Sequence, residues 1–256
     1  MPCYDDAEGV YWTVQCLKAY HDLTDCEILI VDNKGEDKNL RDWASYWSNG
    51  LVRYEVSNSV VGTAPAKQKV FELARGDYVI CIDCHVLLLP HSLDRLWEGD
   101  DLIHGVMAYD DLKSYVTHMT PEWSGEMWGV WAPHVQNLPT EPFEIPMHGG
   151  GLFGCRREAW LGFNDKFRGF GGEEGYIHEK YRRMGKRTYC LPFLRWLHRF
   201  DRPNGVPYPL TLDSRIRNYL IGFTELGMDI QPIKDHFKDK FPQQRMDELL
   251  RSLHIL

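Results

Sequence analysis

Three short strand-like runs constrain this chain more than any other feature. Residues 27–31 (EILIV), 52–56 (VRYEV) and 78–82 (YVICI) have the length and β-branched content of buried strands, and segments of helical spacing lie between them. Over 8–20, Val10, Val14 and Leu17 share one helical face. Residues 64–74 read as a further helix, stopped by Gly76. Such alternation argues for the α/β class with a mainly parallel sheet. In sheets of that kind the ligand crevice lies beyond the carboxyl ends of the strands. Asp32-Asn33 and Asp83-Cys84-His85 stand at two such ends. A first strand has room only within the opening residues Met1 to Tyr4, so either it is very short or the start has been trimmed.

The remaining chain changes character. Residues 107–147 hold Trp123, Trp128 and Trp131 with several prolines and no clear period, which reads as loops or strands around a substrate site. His148-Gly149-Gly150-Gly151 comes next, then Leu152-Phe153 and a charged helical start. Gly171-Gly172-Glu173-Glu174 opens a helix to about Met184, and a short strand over 187–191 leads to Trp196-Leu197-His198. The tail from Ser214 is helical, with breaks near Pro232 and Pro242. The expected division is 1–104 as a nucleotide-binding half, 105–212 as a metal, donor-sugar and acceptor half, and 213–256 as a helical extension.

Acidic residues exceed basic ones by 37 − 29 = 8, which argues against a generally basic nucleic-acid coat. A local basic rim from Arg156-Arg157, Arg182-Arg183 and Lys186-Arg187 stays open. Seven scattered cysteines read as reduced thiols, and Cys81-x-x-Cys84 sits in an apolar run with no second pair to complete a zinc site. No secretory leader and no bilayer-length apolar run is seen, so a cytoplasmic protein without membrane contact is expected, in the host cytoplasm if the source is viral.

Five places carry chemistry. Alternate residues of an extended segment point the same way, so Asp83 and His85 can share a metal, and a mixed oxygen and nitrogen set suits Mn²⁺ or Zn²⁺. His198, at the end of another strand-like run, supplies a third ligand. Asp32 can accept a hydrogen bond from a base edge such as uracil N3–H, or simply cap a turn. Gly62 opens a helix on which Lys67 and Lys69 cannot both face one way; Lys67 is the better candidate for phosphate and Lys69 for solvent. Gly149-Gly150-Gly151 allows a ligand close to the backbone. Glu173 and Glu174 can bind sugar hydroxyls or serve as a general base, though a helix N-terminus also favours Glu.

In this order, strand-Asp32, Gly62, Asp83-x-His85, Gly150-Gly151-Leu152-Phe153, Gly171-Gly172-Glu173 and His198 resemble the GT-A glycosyltransferases of family 2. The set is most similar to the catalytic domain of polypeptide N-acetylgalactosaminyltransferases, over roughly residues 2–200. The resemblance implies a GT-A fold, in which a Rossmann-like mixed sheet is flanked by helices. It also implies a UDP-sugar donor and Mn²⁺ (with Mg²⁺ as the substitute) on Asp83, His85 and His198. Asp32 and Asn33 would lie near the uracil, with Gly62, Lys67 and Cys84 also on the donor. Gly150 and Gly151 would line the donor sugar, and Glu173 the sugar or acceptor. Retention of anomeric configuration is implied, with inversion through Glu173 or Glu174 left open. Trp128, Trp131 and His148 are candidates for the acceptor, and Arg202 and Tyr208 for a lid after His198.

Departures are visible. Ala64-Pro65-Ala66 replaces an arginine-bearing stretch, Phe170 replaces Trp, and the glycine-rich motifs stand closer together. Without a lectin domain, signal anchor or disulfide set, the expected acceptor is a protein Ser/Thr, a saccharide, or a hydroxymethylated pyrimidine in bacteriophage DNA. Two other classes stay in view: a nucleotidyltransferase, for which residues 1–7 lack a glycine-rich basic loop, and a non-catalytic UDP-sugar-binding module.

Overall fold

The structure is a computed structural model that describes all residues except Ser48, Leu96, Glu98, Arg202, Pro203, Asn204 and Leu256. Strand β1 (Pro2–Cys3) is two residues long and pairs in parallel with β2 (Ile28–Asp32), which pairs in parallel with β3 (Val52–Val56). Helix α1 (Ala7–Tyr20) buries Val10, Val14 and Leu17 and is capped by Asp6, whose side chain accepts from Gly9 N–H. Between β2 and β3 lies α2 (Lys38–Tyr46), capped by Asp37. It buries only Leu40 and Ala44, too few apolar positions to show a period in the sequence. Helix α3 (Thr63–Leu73) leads into β4 (Tyr78–Ile82).

Strand β4 leaves the parallel sheet. It pairs antiparallel with β11 (Leu152–Arg156), with Leu152 opposite Ile82 and Arg156 opposite Tyr78. The sheet continues through β6 (Leu102–Ala108) to β12 (Thr188–His198) and β10 (Phe143–Glu144). β5 (Val86–Leu88) pairs with β12, and β7 (Tyr115–Val116) with β6. Among the named strands, parallel pairing joins β1–β2–β3 and β6 with β12, so the sheet is mixed, as the resemblance implies, and not mainly parallel as strand–helix alternation alone suggests. Local alternation senses only neighbours along the chain, whereas the antiparallel partner of β4 is far from it in sequence.

Two further expectations change. The strand expected over 187–191 runs on to His198, and its pairing with β6 shifts register between Leu191 and Arg195, where Pro192 has no N–H to give. The charged helical start after Phe153 is a single 3₁₀ turn, Arg157–Ala159. Within 107–147 the chain forms the hairpin β8 (Met119–Ser124) and β9 (Met127–Trp131). Helix α4 (Glu173–Arg183) opens after Gly172, whose φ of 91° suits glycine.

The tail forms α5 (Leu212–Glu225), α6 (Gln231–Phe237) and α7 (Gln243–Ser252). Pro232 stands in the first turn of α6 and Pro242 caps α7, so both prolines mark helix starts. These helices bury Ile216, Tyr219, Leu220, Phe223, Phe237 and Leu250 together, with Trp123 and Trp128 of the hairpin packed on them. All seven cysteines are free. Among the described residues, no helix is long and apolar enough to cross a membrane.

Candidate active site

A cavity of about 620 Å³ opens where β1, β4 and β12 end. Asp83 is the residue after the end of β4, and its N–H donates to Gly151 O at 2.9 Å. His198 ends β12, and the β5–β12 ladder sets it opposite Val86, next to His85. Arg199 N–H closes the join by donating to His85 O at 3.2 Å. Ligand atoms of Asp83, His85 and His198 lie within 4.8 Å of one another. Opposite ligands of an octahedral ion at about 2.1 Å stand roughly 4.2 Å apart, so small rotations would seat one divalent ion. One carboxylate and two imidazoles are a donor set that fits such an ion.

Lys67 lies beneath this cluster. It is 3% exposed, and its Nζ is 3.7 Å from Asp83 Oδ1 and 3.8 Å from Glu173 Oε1. Burial alone would lower the ammonium pKa, but Asp83, Glu173 and Glu174 outweigh it and leave the pKa raised. Lys69 points outward and pairs with Glu72, so the two lysines part as helical spacing demands. At Gly150 a Cβ would stand 2.6 Å from Lys67 Nζ, so a side chain there would push the lysine tip aside. At Gly151 a Cβ would meet Trp196 and His198 at 3.0–3.1 Å.

The two glutamates part as well. Glu174 lines the cavity, and burial together with its neighbour Glu173 pushes its carboxyl up to about 7, against the opposing pull of Lys67. Glu173 is 1% exposed and is not a lining residue. Its carboxylate oxygens find no hydrogen-bond partner among the described residues, and Lys67 is its ion partner. Its position is that of a buried counter-charge to Lys67.

Of the donor-side candidates, Asn33, Gly62, Lys67, Cys84, Gly150 and Gly151 line the cavity. Asn33 holds the neighbouring loop: its amide donates to Ser57 O and Val60 O, and its oxygen accepts from Gly62 N–H. Gly62 is pressed against Gly169, where a Cβ would lie 2.7 Å from the backbone N and O. Asp32 caps its turn: its carboxylate accepts from Lys34 N–H, Gly35 N–H and Tyr54 O–H, is 2% exposed, and is not among the lining residues.

Acceptor and lid candidates divide too. Trp131 and Tyr208 line the cavity, and Tyr208 stacks on Phe170 at 5.8 Å. Trp128 does not; its ring covers Gly175, and its backbone N–H donates to the Tyr219 hydroxyl oxygen, which ties β9 to α4 and α5. His148 does not line the cavity either. It is fully buried behind the glycine loop with His104 and His178. Arg202 lies outside the described residues. Lining residues that sequence reading missed include Asp6, Met107, Met119 and Met127. Asp6 carried a signal, since it stands just beyond the end of β1; the methionines carried none. The basic pairs lie outside the lining: Arg156 pairs with Asp100, and Arg182 and Arg183 both pair with Glu179.

The family model described as Glycosyl transferase family 2 matches residues 1–161, more than half of the chain. The chain belongs to glycosyl transferase family 2. Similar relatives of this family 2 chain include polypeptide N-acetylgalactosaminyltransferase 10 of Homo sapiens and of Mus musculus. Each is 26% identical, over 79% of this chain and 37% of the relative. The chain therefore spans well under half the length of those relatives. Among solved structures, GalNAc-T7 with UDP, GalNAc and Mn²⁺ superposes with a TM-score of 0.69 at 18% identity, over 91% of this chain and 52% of that one. The mannosyltransferase PcManGT from Pyrobaculum calidifontis, with GDP-Man and Mn²⁺, gives 0.55 at 14% identity, over 99% and 72%. The family 2 chain thus has the GT-A glycosyltransferase fold.

Proposed function

We propose that this chain moves a hexose or N-acetylhexosamine from a UDP-sugar to a hydroxyl acceptor, with Mn²⁺, or Mg²⁺ in its place, held by Asp83, His85 and His198. The observation that carries this reading is the convergence of those three side chains on a cavity walled by Gly150 and Gly151. GalNAc-T7 and PcManGT, solved with nucleotide or nucleotide sugar and Mn²⁺, support it as relatives in fold. A divalent ion at such a site neutralises a leaving diphosphate as a Lewis acid. The chain's own groups do the rest. Asn33, Gly62 and Cys84 face the nucleotide, Lys67 keeps a positive charge beside Asp83, and Gly150 and Gly151 leave room for the sugar ring. Trp131 and Tyr208 shield the site and meet the acceptor.

Resemblance to the polypeptide transferases favours retention. Inversion is a second reading because Glu174 faces the cavity with its carboxyl near 7, where a general base works well at neutral pH. Proton NMR of the first-formed product, read before anomers equilibrate, separates the two.

For the acceptor, Asp6, Asp83 and Glu174 among the lining residues, and the acid-paired arginines outside it, favour a group that enters uncharged. A protein Ser/Thr or a saccharide meets that condition. A hydroxymethylated pyrimidine meets it as an extruded base, away from its duplex phosphates.

Thermal-shift screening of UDP, GDP, dTDP and CMP with and without Mn²⁺ tests the donor half. UDP with Mn²⁺ should give the largest shift, and His198→Ala should remove the metal dependence. A metal-independent UDP shift would overturn the site. Incubation with UDP-sugars, Mn²⁺ and hydroxymethylcytosine DNA, and then digestion, should show a hexose-sized mass gain if the acceptor is DNA; no gain with any donor removes that version.

A further inference from the structure

His85 belongs to two clusters. Its Nε2 lies 4.0 Å from Asp83 Oδ2, on the side of His198, and its Nδ1 lies 3.7 Å from Asp6 Oδ2. Asp6, Cys84 and His85 also satisfy the spacing of a metal-ligand group. Two ions at once would need His85 to ligate through both ring nitrogens, which a neutral imidazole cannot do. Cys84 is buried; its S–H faces Asp6 Oδ2 at 3.7 Å as a donor, and its sulfur stands 3.9 Å from His85 Nδ1, a weaker acceptor than a carboxylate oxygen. The Asp6 cluster therefore reads as an outer layer behind one metal site.

Asp6 is held for that task. Its Oδ1 accepts from Gly9 N–H at 3.0 Å and so caps α1, which leaves Oδ2 turned to the His85 ring. Helix α1 is pressed onto the backbone beside His85: a Cβ at Gly9 would stand 2.6 Å from Cys84 O and 2.7 Å from Asp6 Oδ1. One turn on, Thr13 Oγ1 shares its hydrogen between Cys84 O at 3.0 Å and Val86 O at 2.9 Å. The helix thus grips the residues on both sides of His85, and its cap faces the ring. Metal-bound histidines regularly give their second N–H to a carboxylate, which fixes tautomer and ring orientation.

We propose that Asp6 is the positioning residue of the metal site: its Oδ2, 3.7 Å from His85 Nδ1, closes by a small rotation to accept the Nδ1–H, keeps that proton off Nε2, and so presents Nε2 to the ion beside Asp83 and His198. This role rests on the metal reading of Asp83, His85 and His198.

The test uses the full chain. Asparagine caps helices about as well as aspartate, so Asp6→Asn should keep the fold while removing the charge that attracts Nδ1–H. Mn²⁺ binding, monitored by electron paramagnetic resonance at saturating UDP, should weaken about 10–100-fold in Asp6→Asn, with the metal-free melting temperature little changed. Long-range ¹H–¹⁵N NMR of the metal-free chain should show His85 as the Nδ1–H tautomer, and a mixture in Asp6→Asn. A merely structural cap would move neither readout. Unchanged Mn²⁺ affinity in Asp6→Asn, with His198→Ala weakened, would overturn the role of Asp6 alone. An Nε2–H tautomer in the unaltered chain would also overturn it, without any variant having to fold. No Mn²⁺ binding by the unaltered chain would bring down the metal reading and this inference together.

Discussion

At the scale of single residues, Lys67 shows how charge is stored in the site. It is buried between Asp83 and Glu173, and Glu173 is buried still more deeply. Breaking a buried ion pair by removing one partner costs about 3–5 kcal/mol, because the other charge is left alone. Lys67→Met should lose stability on that scale in urea unfolding, and adding Glu173→Gln should recover part of it; a loss under about 1 kcal/mol would refute the pairing. Gly150→Ala should act on function instead. Its methyl would displace Lys67 Nζ, and misplacement by about an ångström can cost about 100-fold, so kcat/KM for the UDP-sugar should fall by that order. Glu174 has a pH signature. If it is the base, transfer rises as its carboxyl ionises through about pH 7, and Glu174→Gln removes the rise.

At the scale of elements, buried histidines join β6, the glycine loop and α4. His178 Nδ1–H donates to Glu174 O at 2.5 Å, and its Nε2 accepts from His148 N–H at 3.1 Å and lies 2.9 Å from His104 Nε2. The start of the helix that carries Glu174 is thereby fixed to the loop that carries Gly150. Burial holds His148 down to about 3, His178 to about 4, and His104 well below its usual range. The unfolded chain, with histidines near about 6.5, binds these protons first. The cluster's contribution is therefore whole above about pH 6.5. It falls as pH drops below that value and levels off once pH passes about 4 and then about 3. The melting temperature should decline over that window. His148→Phe should shallow the decline by one proton's share, about 1.4 kcal/mol per pH unit where uptake is complete. An unchanged slope would count against this account.

At the scale of the whole molecule, the C-terminal helices support a cavity to which they contribute little lining. Asn218 of α5 donates to Arg168 O and Gly171 O, which shapes the turn before Glu173. Arg215 bonds Glu126, and His236 bonds Gly125 O, so α5 and α6 hold the hairpin turn. Ending the chain at Gly227 would strip Ile233, Phe237, Met246 and Leu250 from Tyr219, Leu220 and Phe223. Each such side chain contributes roughly 1.5–3 kcal/mol by burial, against a usual total of about 5–15 kcal/mol. The shortened chain should show no cooperative melt by calorimetry and no UDP-dependent shift.

Local order is written in the chain's own spacing. The strand over 78–82 sets Asp83 and His85 at its end, helical spacing sends Lys67 inward and Lys69 outward, and Gly150 and Gly151 announce a close approach. Periodicity fixes which face of its own element a side chain occupies, so these features were legible. Which faces meet is set by long-range pairing. Antiparallel pairing of β4 with β11 and of β5 with β12 brought Gly151 and His198 to Asp83 and His85. The same long-range packing buried Glu173 and His148, turned Trp128 onto α4, kept Asp32 on its turn, and set Asp6 behind His85. Those partners are separated by long stretches of chain and are chosen by burial and pairing across the whole core, which no local period encodes.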